Sequence, residues 1–305
     1  MNILIIGLGS IAQKHIIAIR ELYADAIIYA LRSSKNSEQF ENIQDKFSLE
    51  ELNVKPDFII ISNPTNLHEE AILKSIEIGC PLFIEKPVLS ELNSSSSLSE
   101  MIHKKQVLTY VACNLRFHPV VQFLKKYLIE NKSIINEVNI YCGSFLPDWR
   151  PGKEFRKIYS ANAEMGGGVH LDLIHELDYC NWLFGNPMET KSIKRNVSSL
   201  KINAIDFASY HLLYDTFTAN ITLNYFRKDP KREIEIITEK ESIKADLLKC
   251  TITRLDDHKI IFEQPYQVKD TYVQQMNYFI NHIKNNQQPM NSFDEAVDVL
   301  KIALT

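Results

Sequence analysis

A chain of 305 residues with a formal net charge of -4 has no surplus of positive charge to offer a phosphate backbone, so nucleic acid is excluded as a partner class. No apolar run reaches bilayer-spanning length, and no membrane partner is expected. The opening stretch MNILIIGLGS lacks the basic region and cleavage site of a secretory signal, which points to a cytoplasmic location. The five cysteines, Cys80, Cys113, Cys142, Cys180 and Cys250, are odd in number and show no paired spacing. Neither a disulfide framework nor a zinc site is expected, and they read as reduced thiols. What is present is 45% apolar and 24% charged residues, enough for two ordinary domains with real cores.

The first third alternates short apolar runs (NILIIG, AIIYAL, FIIIS, PLFIEK, LTYVAC) with amphipathic stretches such as TNLHEEAILKSIEIG. That rhythm predicts an α/β domain, a doubly wound parallel sheet of the Rossmann kind, over residues 1–117. Beyond it, 202–263 is strand-like and punctuated by turns, and two helices follow near 271–285 and 292–303. An α+β domain with a mainly antiparallel open sheet is therefore expected over 118–305, serving substrate binding and oligomerisation. Alternating aromatic and aliphatic residues within 206–226 point to a homodimer or homotetramer built through that sheet.

Dinucleotide chemistry enters at IIGLGSIAQKH. Gly7 and Gly9 follow a strand and precede a helix, with Ala12 at the third position of a G-x-G-x-x-G/A fingerprint. Gly7 permits the tight turn, Gly9 admits a pyrophosphate to the backbone, and Ser10 and Ile11 open the helix whose N–H groups would hold it. At the end of the second strand stands Arg32, followed by Ser33, where a carboxylate would select NAD. A guanidinium there favours NADP over NAD; an ordinary solvated loop cation is the alternative. The third and fourth strand ends carry ISNPTNLH and FIEKP, which places Asn63, Pro64, Thr65, His68, Glu85 and Lys86 where a parallel sheet binds ligands. His68 could equally be a helix-surface histidine. A lysine at the end of a buried strand and before a proline is poorly explained by solubility.

GLGSIAQKH, NPTNLHEEAILKSIEIGCPLFIEKP, NLRFHP and GGGVHLDLIHELDY, in this order and spacing, resemble the Gfo/Idh/MocA family over nearly the whole chain. The resemblance implies that Lys86, Asp172 and His175 surround the substrate carbon facing the nicotinamide. Many members place the histidine four residues after the aspartate; here the gap is three. The HELDY form with PDWRPGKEFRK resembles a subgroup associated with bacterial surface-polysaccharide and sialic-acid-like sugars.

Helical spacing puts Leu173, Ile174, Leu177, Cys180 and Phe184 on one inward stripe, with Asp172, His175 and Tyr179 opposite. Asp172 and His175, at i and i+3 of one helix, would let the carboxylate orient the imidazole. Three glycines, 166–168, would bring backbone close to the cofactor ring. Hydride transfer to or from a secondary alcohol needs a proton-transfer group and charge stabilisation of the developing alkoxide. His175 and Lys86 supply these, in either assignment. Arg116, Arg150, Lys153 and Arg156, with Tyr179, are the candidate ligands of a hydroxylated or carboxylated sugar, with an ordinary loop cation the alternative at Arg150. No metal is required. The expected activity is an NADP-preferring dehydrogenase or reductase of a sugar, nucleotide sugar or cyclitol. Two rivals stay open, a dinucleotide-binding sensor without turnover and a reductase of a non-sugar substrate on the same fold.

Overall fold

The computed structural model describes residues 1–35 and 39–305. Two compact units emerge, one from Met1–Asn114 with Gln267–Leu300, the other from Leu115–Tyr266 with Lys301–Thr305.

The first unit holds β1 (Asn2–Ile6), α1 (Ser10–Leu22), β2 (Ile27–Leu31), β3 (Ile43–Lys46), β4 (Phe58–Ile61), α2 (His68–Ile78), β5 (Leu82–Glu85), α3 (Ser95–Lys105) and β6 (Thr109–Ala112). Its six strands run parallel in the order β3-β2-β1-β4-β5-β6. Ile3, Leu4, Ile5, Phe58, Ile59, Ile60, Leu82, Phe83 and Ile84 are wholly enclosed, as strands covered on both faces must be. The order reverses direction between β1 and β4, so the turns after these two strands, at Gly7 and Asn63, flank the crevice where such sheets take ligands.

Of the closing helices, α7 (Val268–Lys284) belongs to this unit, as do the residues of α8 (Phe293–Leu304) up to Leu300. The expected division into 1–117 and 118–305 differs here, and packing gives the reason. Phe279 of α7 lies 5.2 Å from Phe58, 5.3 Å from Phe83 and 5.9 Å from Tyr110, ring centroid to centroid, so the helix completes the core of the parallel sheet.

The second unit contains α4 (Pro119–Asn131), β7 (Ile135–Phe145), α5 (Val169–Asp172), α6 (His175–Phe184), β8 (Glu189–Arg195), β9 (Phe207–Leu213), β10 (Thr218–Asn224), β11 (Phe226–Thr238), β12 (Ser242–Asp246), β13 (Thr251–Arg254) and β14 (Lys259–Glu263). Its eight strands are ordered β14-β13-β12-β11-β7-β10-β9-β8, antiparallel except for the β7–β10 pair. Along β10, Ala219, Ile221 and Leu223 are enclosed while Thr218, Asn220 and Thr222 face outward. The outer face is therefore polar, with Asn139, Tyr141, Lys231 and Glu233 beside them, and not the apolar surface expected from 206–226.

Candidate active site

In the first unit the fingerprint folds as its chemistry requires. Gly7 has φ +92°, and a Cβ there would stand 2.3 Å from the backbone nitrogen of Asn63, so only glycine lets the β1 and β4 turns close together. Gly9 is the N-cap of α1 and is extended. A Cβ at Gly9 would meet nothing within 4 Å, the helix start has no side-chain cap, and its first turn has no acid. Open space over uncapped N–H groups fits a dinucleotide pyrophosphate. Ser10 is exposed and Ile11 half-buried at the same helix start.

Around this start the other expected ligands divide. Pro64 and Ser33 are exposed, Asn63 is half-buried, and Thr65 is buried at the first residue of a 3-10 turn. Arg32 already has a protein partner, its Nη1 lying 3.0 Å from Asp45 Oδ1. His68 is no surface residue. It is enclosed, with Nδ1 3.2 Å from the Val88 carbonyl and Nε2 3.0 Å from that of Asn63, and burial lowers its pKa. It fastens the β4 turn from within. Glu85, expected against the cofactor, instead turns inward: Oε1 lies 2.6 Å from His15 Nε2, and Oε2 accepts from the backbone N–H of Lys86 at 3.1 Å. A buried carboxylate needs such partners, and β5 places them on its inner side. Lys86 follows at the carboxyl end of β5, half-buried, joined to Pro87 by a cis peptide bond.

In the second unit the glycines 166–168 serve the chain itself. A Cβ at Gly167 would fall 2.2 Å from the Tyr159 carbonyl oxygen, Gly167 N–H donates to the Asn162 carbonyl at 2.9 Å, and the Tyr159 hydroxyl donates to the Gly166 carbonyl at 2.7 Å. The expected single helix is broken after this loop. α5 stops at Asp172, Leu173 departs from helical geometry, and α6 starts at His175. The register of Asp172 and His175 is thus set by a turn and not by one helix. From Val169 to Cys180 every residue is buried except these two, which are half-buried. The Asp172 Oδ2 accepts from the Tyr225 hydroxyl at 2.5 Å, and Trp149 packs edge-on against the Tyr225 ring at 5.3 Å. Burial and the neighbouring Asp172 carboxylate push the Tyr225 hydroxyl well above its usual pKa, so it remains a donor.

Two expected sugar ligands lie in the interior instead. Arg116 forks onto Asp178, and Tyr179 is wholly enclosed, with burial and the nearby Glu176 raising its hydroxyl pKa. Both follow from α6 being covered on nearly all sides, which leaves no solvent face for Tyr179. Glu176, also fully buried, is matched by Arg232 of β11 at 2.7 Å. Arg150 is exposed; Arg156 is exposed, 3.4 Å from Glu154 and stacked on Phe155. Tyr225, Arg232 and His15 are the participants that sequence reasoning missed. Among the described residues, no group of three His, Cys, Asp or Glu side chains could hold a metal ion, and no helix is long and apolar enough to cross a membrane.

Residues 1–113 match the oxidoreductase family described by its NAD-binding Rossmann fold, and residues 132–244 match the GFO/IDH/MocA C-terminal domain. A myo-inositol 2-dehydrogenase of Thermotoga maritima is 24% identical, over 97% of this chain and 92% of its own. Among solved structures, a UDP-N-acetylglucosamine 3-dehydrogenase of Acidithiobacillus ferrooxidans superposes with a TM-score of 0.81 at 18% identity, covering 100% of this chain and 95% of the other. The WlbA dehydrogenase of Bordetella pertussis, solved with NADH and UDP-GlcNAcA, gives 0.81 at 18% identity, covering 99% and 94%. With an open glycine cradle in one unit, a half-buried aspartate and histidine within a buried stretch of the other, and both halves matched in order, the chain belongs to the Gfo/Idh/MocA family of NAD-binding oxidoreductases.

Proposed function

We propose that the protein transfers a hydride between a nicotinamide dinucleotide, NADP in preference to NAD, and a secondary alcohol or ketone carbon of a sugar, nucleotide sugar or cyclitol. The observation that carries this reading is the selective exposure of Asp172 and His175 in an otherwise buried stretch, with Tyr225 fixing the aspartate. When bound, the nicotinamide ring supplies or accepts the hydride.

The remaining work falls to side chains of this chain. As the alcohol carbon loses hydride its oxygen must lose a proton; in the reverse direction it must gain one. The reading assigns that proton to the His175 imidazole, oriented by the Asp172 carboxylate. Lys86 contributes the positive charge that stabilises alkoxide character. Arg150, Lys153 and Arg156, all exposed, are the cations left to recognise an acidic or phosphorylated substituent. The same reading makes the protein a homodimer or homotetramer associated through the polar outer face of the second sheet.

Screening myo-inositol, other cyclitols, UDP-N-acetylglucosamine and sugar acids for a change in nicotinamide absorbance tests the reading. Lys86→Ala and His175→Ala should each lower kcat by about a hundredfold while NADP affinity changes little. Tight NADP binding with no turnover on any of these classes would favour the sensor reading.

A further inference from the structure

The fingerprint helix carries a side chain that the proposed chemistry leaves unused. His15 of α1 is fully enclosed, edge-on to Phe83 at 4.9 Å and to Tyr272 of α7 at 5.8 Å. An imidazole among aromatic rings must find a polar partner or lose free energy to desolvation, and its Nδ1 has none. Nε2 has one, the Glu85 carboxylate at 2.6 Å, and Glu85 is itself only 7% exposed. With no acceptor at Nδ1, the ring proton sits on Nε2 and donates to Glu85. The other carboxylate oxygen receives the Lys86 N–H at 3.1 Å. Hydrogen bonds thus run from the α1 side chain through one carboxylate to the backbone of the lysine.

Stability alone is a weak reason for this arrangement. A buried polar pair of this kind is commonly replaced by apolar residues without loss, whereas removing one partner strands the other. What the pair does supply is direction. Without His15, the Glu85 carboxylate would lose one of the two groups that hold its plane, and Lys86 N–H would lose a fixed acceptor. α1 starts at the open Gly9 cradle, and His15 stands five residues past Ser10, about 8 Å along the axis. One rigid helix therefore bears both the proposed pyrophosphate cradle and the anchor of the lysine.

We propose that His15 is a positioning residue for Lys86, acting through Glu85 to fix the lysine at the carboxyl end of β5. The inference rests on Lys86 being the active cation of the proposed function only for its catalytic meaning; the positioning itself is measurable without substrate. The full-length chain is treated with trace acetic anhydride, and the acylation rate of Lys86 is read by mass spectrometry against the exposed Lys74. His15→Leu, which fills the space without a donor, should change the Lys86 rate about threefold or more, because small displacements of a held group change reactivity steeply. His15→Gln, whose amide can donate from nearly the position of Nε2, should restore it. NADPH affinity, followed by fluorescence, should stay within about twofold of wild type, since the cradle's N–H groups belong to the helix start, about 8 Å from His15, and the substitution leaves them in place. Should the leucine variant fail to fold, Glu85→Gln carries the same comparison. An unchanged Lys86 rate in the folded His15→Leu or Glu85→Gln chain overturns the proposal. A changed rate together with full activity of Lys86→Ala would leave the positioning intact and remove the proposed function instead.

Discussion

Arg116 and Asp178 meet fork to fork, Nε to Oδ2 at 2.9 Å and Nη2 to Oδ1 at 2.8 Å, with each side chain at most 3% exposed. Trp182 stacks under the guanidinium at 5.8 Å. A pair so placed joins the segment before α4 to α6 and has little surface to offer a sugar. Asp178→Asn or Arg116→Ala should cost about 3–5 kcal/mol of stability, the usual penalty for stranding one buried charge. Urea unfolding measures it. An Arg116 variant of normal stability but raised KM would restore it as a substrate ligand.

Acid should weaken the second unit through two histidines. His118 caps α4, its Nδ1 accepting from Val120 N–H at 3.2 Å while Nε2–H donates to the Leu247 carbonyl at 3.0 Å, so only the neutral ring satisfies both contacts. Burial holds His118 and His170 down to about 4, with Lys194 adding to the effect at His170. In the unfolded chain both take up protons near 6.5, so stability is full above about pH 6.5 and is lost as the pH falls toward 4. Each contributes on the order of 1–3 kcal/mol across that window. His118→Asn keeps the cap without the titration and should flatten part of the loss in urea midpoints compared at pH 7 and pH 5.

Cofactor choice should turn on the contact between Arg32 and Asp45. If a 2'-phosphate binds Arg32, it competes with the carboxylate 3.0 Å away. Arg32→Ala should bring NADP and NAD to similar affinity. Asp45→Asn should tighten NADP by roughly threefold to tenfold, the scale of a partly exposed ion pair. Calorimetric titration of both nucleotides decides the matter, and equal affinities in the wild type would reject the preference.

Tyr225 should matter to turnover and not to folding alone. Tyr225→Phe keeps the ring against Trp149 and deletes only the hydroxyl that donates to Asp172. Loss of one hydrogen bond to a charged group predicts a fall in kcat of about tenfold with NADP affinity unchanged. Steady-state kinetics on whichever substrate the screen yields would show it.

The inner strands were legible because burial on both faces demands unbroken Ile, Leu and Phe, as in NILII and FIII. β3 (IQDK) and β8 (ETKSIKR) are edge strands of mixed exposure, and their polar composition carries no such signal. β7 lies outside the strand-rich stretch 202–263 although it is central, because it pairs with β10 and β11, whose residues lie far along the chain. In the candidate site, local spacing foretold the turn and helix start at Gly7 and Gly9, whereas Asp172 and His175 lie on two helices, α5 and α6, joined by a turn that a single helical wheel does not anticipate. Tyr225 and Arg232 come from another part of the sheet, and no local pattern ties them to 172–176. Tyr179 was misassigned because a helical wheel presumes one wet side, and α6 has almost none.

The return of α7 to the first unit has a consequence for protein engineering. Asn114, the last residue before the chain leaves that unit, donates from Nδ2 to the Thr271 hydroxyl at 2.7 Å, just after the chain re-enters at Gln267. Exit and re-entry are therefore pinned side by side, which is the geometry of a domain inserted into a host. Cutting the gene after residue 117 would strip Phe279 from its bed of Phe58, Phe83 and Tyr110 and leave an insoluble fragment. Excising 115–266 and closing the gap with a few glycines and serines would leave a miniature dinucleotide binder whose core is whole.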